Sequence, residues 1–263
     1  MREVSDSKAI VSLALGFAEL EIYLPQQRVY PDSKGVLPNL RYAGADARVF
    51  EEAIRSKLGP LHDRIVGRLL VNKGSPDTAP TAANIRDALD ILRAAKETDT
   101  VVVFLAGHGD NDGPNYRFLP TDAERLGDGW RSNKAVTWYA IEETLQATRG
   151  RRLLFVDTCH SGNAYNQRLG NASYHANIVA FSSARWDQQA LERTDIGHGL
   201  FTYAVVEGIS GKAGTGNSRQ IKTSELHAFV VRRVDELARA LDSAQEPQLY
   251  KGRDAEDFVL ARW

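Results

Sequence analysis

Cys159, the chain's one cysteine, sits at the end of the apolar run in "FVDTCHSG", with Asp157 two residues before it and His160 directly after. A thiol in this setting is either a small buried hydrophobe or a nucleophile. A free thiol titrates at about 8.5, so only a few per cent is thiolate at neutral pH unless a base assists. "FLAGHGD" offers that base: His108 stands between two glycines at the end of a second apolar run. Its imidazole could take the thiol proton and later return one to a departing amine. The flanking glycines permit a tight strand exit and close approach of a ligand backbone. Each residue alone has a plain structural explanation. Together they make a pair, because both end apolar runs and the histidine precedes the cysteine by 51 residues. His160 is expected to serve packing or a turn, since neighbours on extended backbone point apart. Gly109, Gly162 and the amides near Cys159 are the expected oxyanion donors.

Those two positions require strands that deliver them to one edge. Ala9–Leu15, Thr100–Ala106, Arg152–Val156 and Asn177–Ser182 are short, apolar and β-branched, as buried parallel strands are. Amphipathic helical patterns fill the intervals: Ala45–Leu58, Thr81–Ala95 with Thr81 as N-cap, Val136–Thr148, Gly199–Ile209 and Thr223–Leu241. Alternation of this kind predicts a parallel sheet covered on both faces, with ligands beyond the carboxyl ends of the strands. Tyr23–Leu37, Asp122–Lys134 and Ser210–Arg219 read as loops. No internal repeat or linker is evident, so residues 1–263 are expected to form one domain.

Bulk properties remove several classes of function. Hydrophobic residues make up 43% and charged residues 25%, an ordinary globular balance. The net charge of −1 gives no basic field for nucleic acid. A single cysteine forms no intrachain disulfide, which fits a reducing compartment. Ala9–Leu20 is too short to span a bilayer, and Glu3 and Asp6 ahead of it do not suit a signal peptide. A cytoplasmic protein with no membrane partner is expected. His62, His175, His198 and His227 have no partner at metal-ligand spacing, and one cysteine does not make a structural zinc site.

"FLAGHGD" and "FVDTCHSG" resemble the caspase-like cysteine peptidases, in particular the metacaspases and bacterial caspase homologues. In caspase-type enzymes the histidine lies about 50 residues before the cysteine. "LPNLRYAGADARVFEEAI", "VAFSSARWDQQALE", "GHGLFTYAVVEGI" and "ELHAFVVRRVDEL" are similar to further family segments, so the resemblance covers most of the chain. It implies an α/β fold: a caspase-type three-layer α/β/α sandwich with a mostly parallel central sheet of about six strands. It also implies His108 and Cys159 as a catalytic dyad. True caspases have Gln where this chain has Asp157, and they cleave after aspartate. Metacaspases place an aspartate there and cleave after Arg or Lys. Asp46 in "AGADA" matches their second S1 acid, although an acid in a first helical turn is also favoured by the dipole. Two such carboxylates would hold a guanidinium and reject an acidic side chain. Ser182, Ser183 and Arg185 are placed beside the cleft, with Trp186 as a wall. Metacaspases often carry Ser where this chain has Ala106, which leaves the orientation of His108 without an assigned partner. "HGDNDG" has two calcium-type ligands, Asp110 and Asp112, but reads better as a polar turn at Gly113–Pro114. No metal or other cofactor is expected from the residues, and calcium stays open.

The expected function is a cysteine endopeptidase acting on proteins or peptides with a basic P1 residue. Loop cleavage, by itself or by an upstream protease, would activate it. Arg168, Lys212, Arg219, Arg125 and Arg131 are the basic residues placed in loops for such processing. By resemblance, the setting is bacterial stress, cell death or anti-phage defence. The competing reading is a catalytically inactive caspase-like scaffold. Retention of His108, Cys159 and Asp157 argues against it. A Cys–His acyltransferase or esterase would have no use for an S1 acid pair.

Overall fold

The structure, a computed structural model, describes residues 8–16, 41–72, 75–112, 115–126, 129–158, 169–171, 173–175, 177–185, 188–215, 219–253, 255 and 257–262. In chain order the strands are β1 (Ala9–Gly16), β2 (Arg64–Val71), β3 (Thr100–Gly107), β4 (Gly109–Asp112), β5 (Asn115–Phe118), β6 (Arg125–Leu126), β7 (Gly129–Trp130) and β8 (Val136–Thr137). There follow β9 (Arg151–Thr158), β10 (Ile178–Ser182), β11 (Glu192–Arg193), β12 (His198–Gly199), β13 (Gln220–Lys222), β14 (Gln248–Lys251) and β15 (Val259–Arg262). The longer helices are α1 (Ala43–Ala53), α2 (Ala82–Leu92), α3 (Trp138–Ala147), α4 (Leu200–Glu207) and α5 (Thr223–Arg239), and residues 169–171 and 173–175 are also helical.

The main sheet has six strands in the order β14-β10-β9-β3-β1-β2. All pairs are parallel except β10 with β14. Every residue of β3 is buried, which is why its sequence is a continuous apolar run rather than an alternation. Alternate residues feed two cores. Phe104, Phe155 and Phe181 pack with α1, α4 and α5, while Val103, Leu105, Leu154 and Val156 pack with α2 and α3. Phe50 of α1 stacks on Phe104 at 4.4 Å, and Phe155 stacks on Phe181 at 4.7 Å. Such ring pairs add about 0.5–1.5 kcal/mol beyond the area they bury.

The four expected strands and five expected helices are present, with ends shifted by a few residues. Thr81 caps α2 as expected, its hydroxyl accepting from Asn84 N at 3.2 Å. The sequence reading missed β2, whose first six residues are not fully buried. The expected loop Asp122–Lys134 is in part a small hairpin, β6 with β7, closed by Arg131 N donating to Glu124 O at 2.8 Å. In "HGDNDG", residues 109–112 form β4 and pair antiparallel with β5, while Gly113 and Pro114, the expected turn, lie outside the described residues. Residues 23–37 lie outside the described set. Among the described residues no helix is long and apolar enough to cross a membrane.

Candidate active site

β3 and β9 are neighbours, and their ladder ends with Gly107 opposite Thr158. The residues that immediately precede His108 and Cys159 in the chain are thus register partners at the carboxyl edge of the sheet. This is the edge where parallel α/β sheets bind ligands. Cys159, His160, Gly162, Arg168 and Trp186 lie outside the described residues. His108 is 2% exposed, and its carbonyl accepts from Leu119 N at 3.0 Å. Gly109 starts the β4–β5 hairpin. A Cβ there would overlap the ring and hydroxyl of Tyr116, so the turn after His108 admits only glycine. Tyr116 is itself buried, and its hydroxyl donates to Thr158 Oγ1 at 2.9 Å.

Period-two alternation along β9 sends Phe155 and Asp157 to the α1 and α4 face, and Val156 and Thr158 to the other. Asp157 is 8% exposed. Thr202, in the first turn of α4, donates its hydroxyl to Asp157 Oδ2 at 2.7 Å, and the Ser183 hydroxyl donates to the same carboxylate. Asp46, 2% exposed in the first turn of α1, accepts from His198 Nδ1 at 2.7 Å and from Gly199 N at 3.1 Å. The two carboxylates converge on Gly199. A Cβ built there would lie 3.0 Å from Asp157 Oδ2 and 3.1 Å from Asp46 Oδ2. The oxygens are therefore within about 6 Å of each other, close enough for each acid to oppose ionisation of the other. Gly199 has φ −64°, so space rather than backbone conformation is what glycine supplies here.

The electrostatics follow from that geometry. Burial, and then the neighbouring Asp46 carboxylate, push Asp157 up to about 7, with Glu192 adding to the rise and the Thr202 and Ser183 hydroxyls opposing it. Burial also raises Asp46, against the pull of His198 and the Gly199 amide. Glu192 holds the entry to α1, accepting from Arg41 N at 3.0 Å and Tyr42 N at 3.1 Å. Among the described residues neither Asp157 nor Asp46 is bonded to a lysine or arginine.

Of the remaining expected residues, Ser182 and Ser183 end and follow β10 beside Asp157, and the others are dispersed. Ser182 and Ser183 are both buried; the Ser182 hydroxyl donates to Ala184 O at 3.2 Å, so it serves the local turn. Arg185 reaches outward to Glu246 at 3.2 Å. Arg125 lies in β6, and Arg131 pairs with Glu124 at 2.8 Å on the surface. Lys212, expected in a loop, instead occupies the final helical turn after α4 and pairs with Glu207, which also binds Arg233 at 2.7 Å. Arg219 is exposed in left-handed conformation, φ 49°, just before β13. Asp110 and Asp112 both fall on β4, and no group of three acid, histidine or cysteine side chains that could hold a metal occurs among the described residues. Sequence reasoning missed His198, Thr202, Glu192 and Tyr116. All four act across the fold on residues distant in the chain, so no local spacing marks them.

The family model described as the caspase domain matches residues 28–259. A comparison with curated proteins found no match. Among solved structures, the protein GSU0716 from Geobacter sulfurreducens is similar at TM-score 0.59 and 18% identity, covering 97% of each chain. Caspase-1 from Spodoptera frugiperda is similar at TM-score 0.52 and 12% identity, covering 97% of this chain and 90% of that one.

Proposed function

From this chain's membership of the caspase domain family, whose members are cysteine peptidases, we propose that it is an endopeptidase that cleaves proteins after Arg or Lys. The observation that carries the basic P1 preference is the Asp157–Asp46 pair. Burying two carboxylates side by side disfavours their charged forms, and among the described residues only Asp46 has a basic partner, the His198 imidazole. A substrate guanidinium or ammonium entering between them would supply the missing charge, and a guanidinium can do so through paired hydrogen bonds. An acidic P1 side chain would add a third negative charge and be rejected.

In this reading His108 takes the proton of Cys159, and the thiolate attacks the scissile carbonyl carbon. Backbone N–H groups near Gly109, Cys159 and Gly162 stabilise the oxyanion. The imidazolium then gives its proton to the departing amine, and the C–N bond breaks to leave a thioester. Water, deprotonated by His108, attacks that thioester, and the acid product leaves as the thiol is restored.

Proteolytic activation belongs to the same proposal, and it is supported by the exposure of Arg131 and Arg219 at the surface. A protease with this preference could cut such sites in its own chain. Matching fragments from wild type and Cys159→Ala incubated alone would exclude self-cleavage.

The test is turnover of fluorogenic peptides with Arg, Lys or Asp at P1 by wild type, Cys159→Ala and Asp157→Ala. Cleavage after Arg and Lys, abolished by the first variant and strongly reduced by the second, is expected. Cleavage after Asp alone would overturn the specificity. No turnover, with or without calcium or limited proteolysis, would favour the inactive scaffold.

A further inference from the structure

Tyr116 lies in neither of the motifs that frame the site, yet it touches the chain beside both. It sits on β5, opposite Asn111 of β4, so the hairpin that follows His108 folds it back toward the sheet edge. Its ring and hydroxyl occupy the space over Gly109 where any side chain would stand. The same hydroxyl donates to Thr158 Oγ1 at 2.9 Å in a buried hydrogen bond. The β3–β9 ladder ends at Gly107 and Thr158, so backbone pairing no longer fixes the spacing of the two chains beyond that point. The phenol spans that gap.

We infer that Tyr116 is a positioning residue that sets the distance between His108 and Cys159, by bracing the turn after the histidine against the residue before the cysteine. This rests on the dyad assigned above. Thiol-to-imidazole proton transfer needs heavy atoms within hydrogen-bond reach, and a misplacement of about 1 Å can cost about a hundredfold in rate. A buried phenol with two χ angles is a stiff spacer, and it is held on the α2 and α3 side of the sheet by the core that contains Phe118 and Val136. Thr158 supplies a hydroxyl acceptor there, which explains a polar side chain directly after the apolar Leu154 and Val156 on that face of β9.

The experiment compares wild type, Tyr116→Phe, Thr158→Val, the double variant and Thr158→Ser. Three quantities are read: kcat and KM on an Arg-P1 peptide, the pH dependence of Cys159 alkylation by iodoacetamide, and Tm. In Tyr116→Phe, kcat should fall roughly ten- to a hundredfold with KM unchanged. The alkylation midpoint should move up toward the free-thiol value of about 8.5. Thr158→Ser, which keeps the acceptor, should behave as wild type. The double variant should be no worse than the poorer single one, because both act through one bond. The inference is overturned by wild-type kcat and alkylation in Tyr116→Phe, by additive losses in the double variant, or by a loss that follows Tm with an unmoved alkylation profile. Alkylation reads the dyad whether or not the peptide is cleaved. Failure of the peptidase assignment would therefore show as absent turnover, separately from failure of this inference.

Discussion

Substrate binding should release a proton, and the amount is set by the Asp157–Asp46 pair. Burial and Asp46 hold Asp157 at about 7 in the free protein, against a usual 3.8. A cationic P1 side chain between the two acids favours the ionised form, so the proton must leave as the ligand enters. With that value, about nine-tenths of the Asp157 carboxyls are protonated at pH 6 and about one-tenth at pH 8. Binding of an Arg-P1 peptide to Cys159→Ala should thus release close to one proton at pH 6 and almost none at pH 8. Affinity should weaken by about tenfold for each unit below pH 7, which corresponds to about 1.4 kcal/mol per unit. Calorimetry in buffers of different ionisation enthalpy measures the proton directly, and the cysteine variant removes turnover from the reading. An affinity that is flat from pH 5.5 to 8, with no proton released, would refute the idea that the acid pair receives the cation.

The same pair is a liability for stability. Asp157 binds its proton more tightly folded than unfolded, so its contribution falls as pH rises from about 4 through about 7. Asp157→Asn should therefore raise Tm at pH 8 by several degrees and have little effect at pH 4, while removing Arg-P1 cleavage; a lower Tm at pH 8 would contradict this. Thr202→Val removes a hydroxyl that favours the Asp157 carboxylate, so the affinity profile should shift to higher pH, and an unshifted profile would count against that bond. Gly199→Ala places a methyl about 3 Å from both acids at a φ that alanine tolerates. It should raise KM for Arg-P1 peptides at least tenfold with iodoacetamide reactivity of Cys159 unchanged, and an unaltered KM would show that the cation enters elsewhere. Phe155→Ala, which breaks two ring contacts in the core, should cost about 3–5 kcal/mol in denaturant unfolding; a loss under 1 kcal/mol would show that the core repacks.

The sheet's inner strands are legible in the sequence because burial on both faces leaves no polar position to confuse the pattern, as in "TVVVFLA". β2 is not, because it lies at an edge where Arg64 and Arg68 stay exposed and Gly67 breaks the run. β14 is a four-residue antiparallel edge strand with a lysine at its end, too short to carry a period. Helix ends at Ile54–Leu58 and Gly208–Lys212 continue as wider π-type turns, a hydrogen-bonding choice that apolar spacing does not encode. At the candidate site, His108 and Asp157 are readable because strand ends are readable. Asp46 was placed by family likeness, and the fold brings it beside Asp157 through Gly199. Thr202, His198 and Tyr116 are legible only in three dimensions. Each is an ordinary residue in its own segment and gains meaning from a partner 42 to 152 positions away.

Peptidyl acyloxymethyl ketones that differ only at P1 test the central claim most directly, because they mark the reacting thiol and the side-chain preference together. Intact-mass and peptide mapping of wild type treated with the Arg form should show one adduct, on Cys159, formed much faster than with the Asp form and lost in His108→Ala. Faster labelling by the Asp form, or an Arg-form adduct that persists at the same rate without His108, would contradict it.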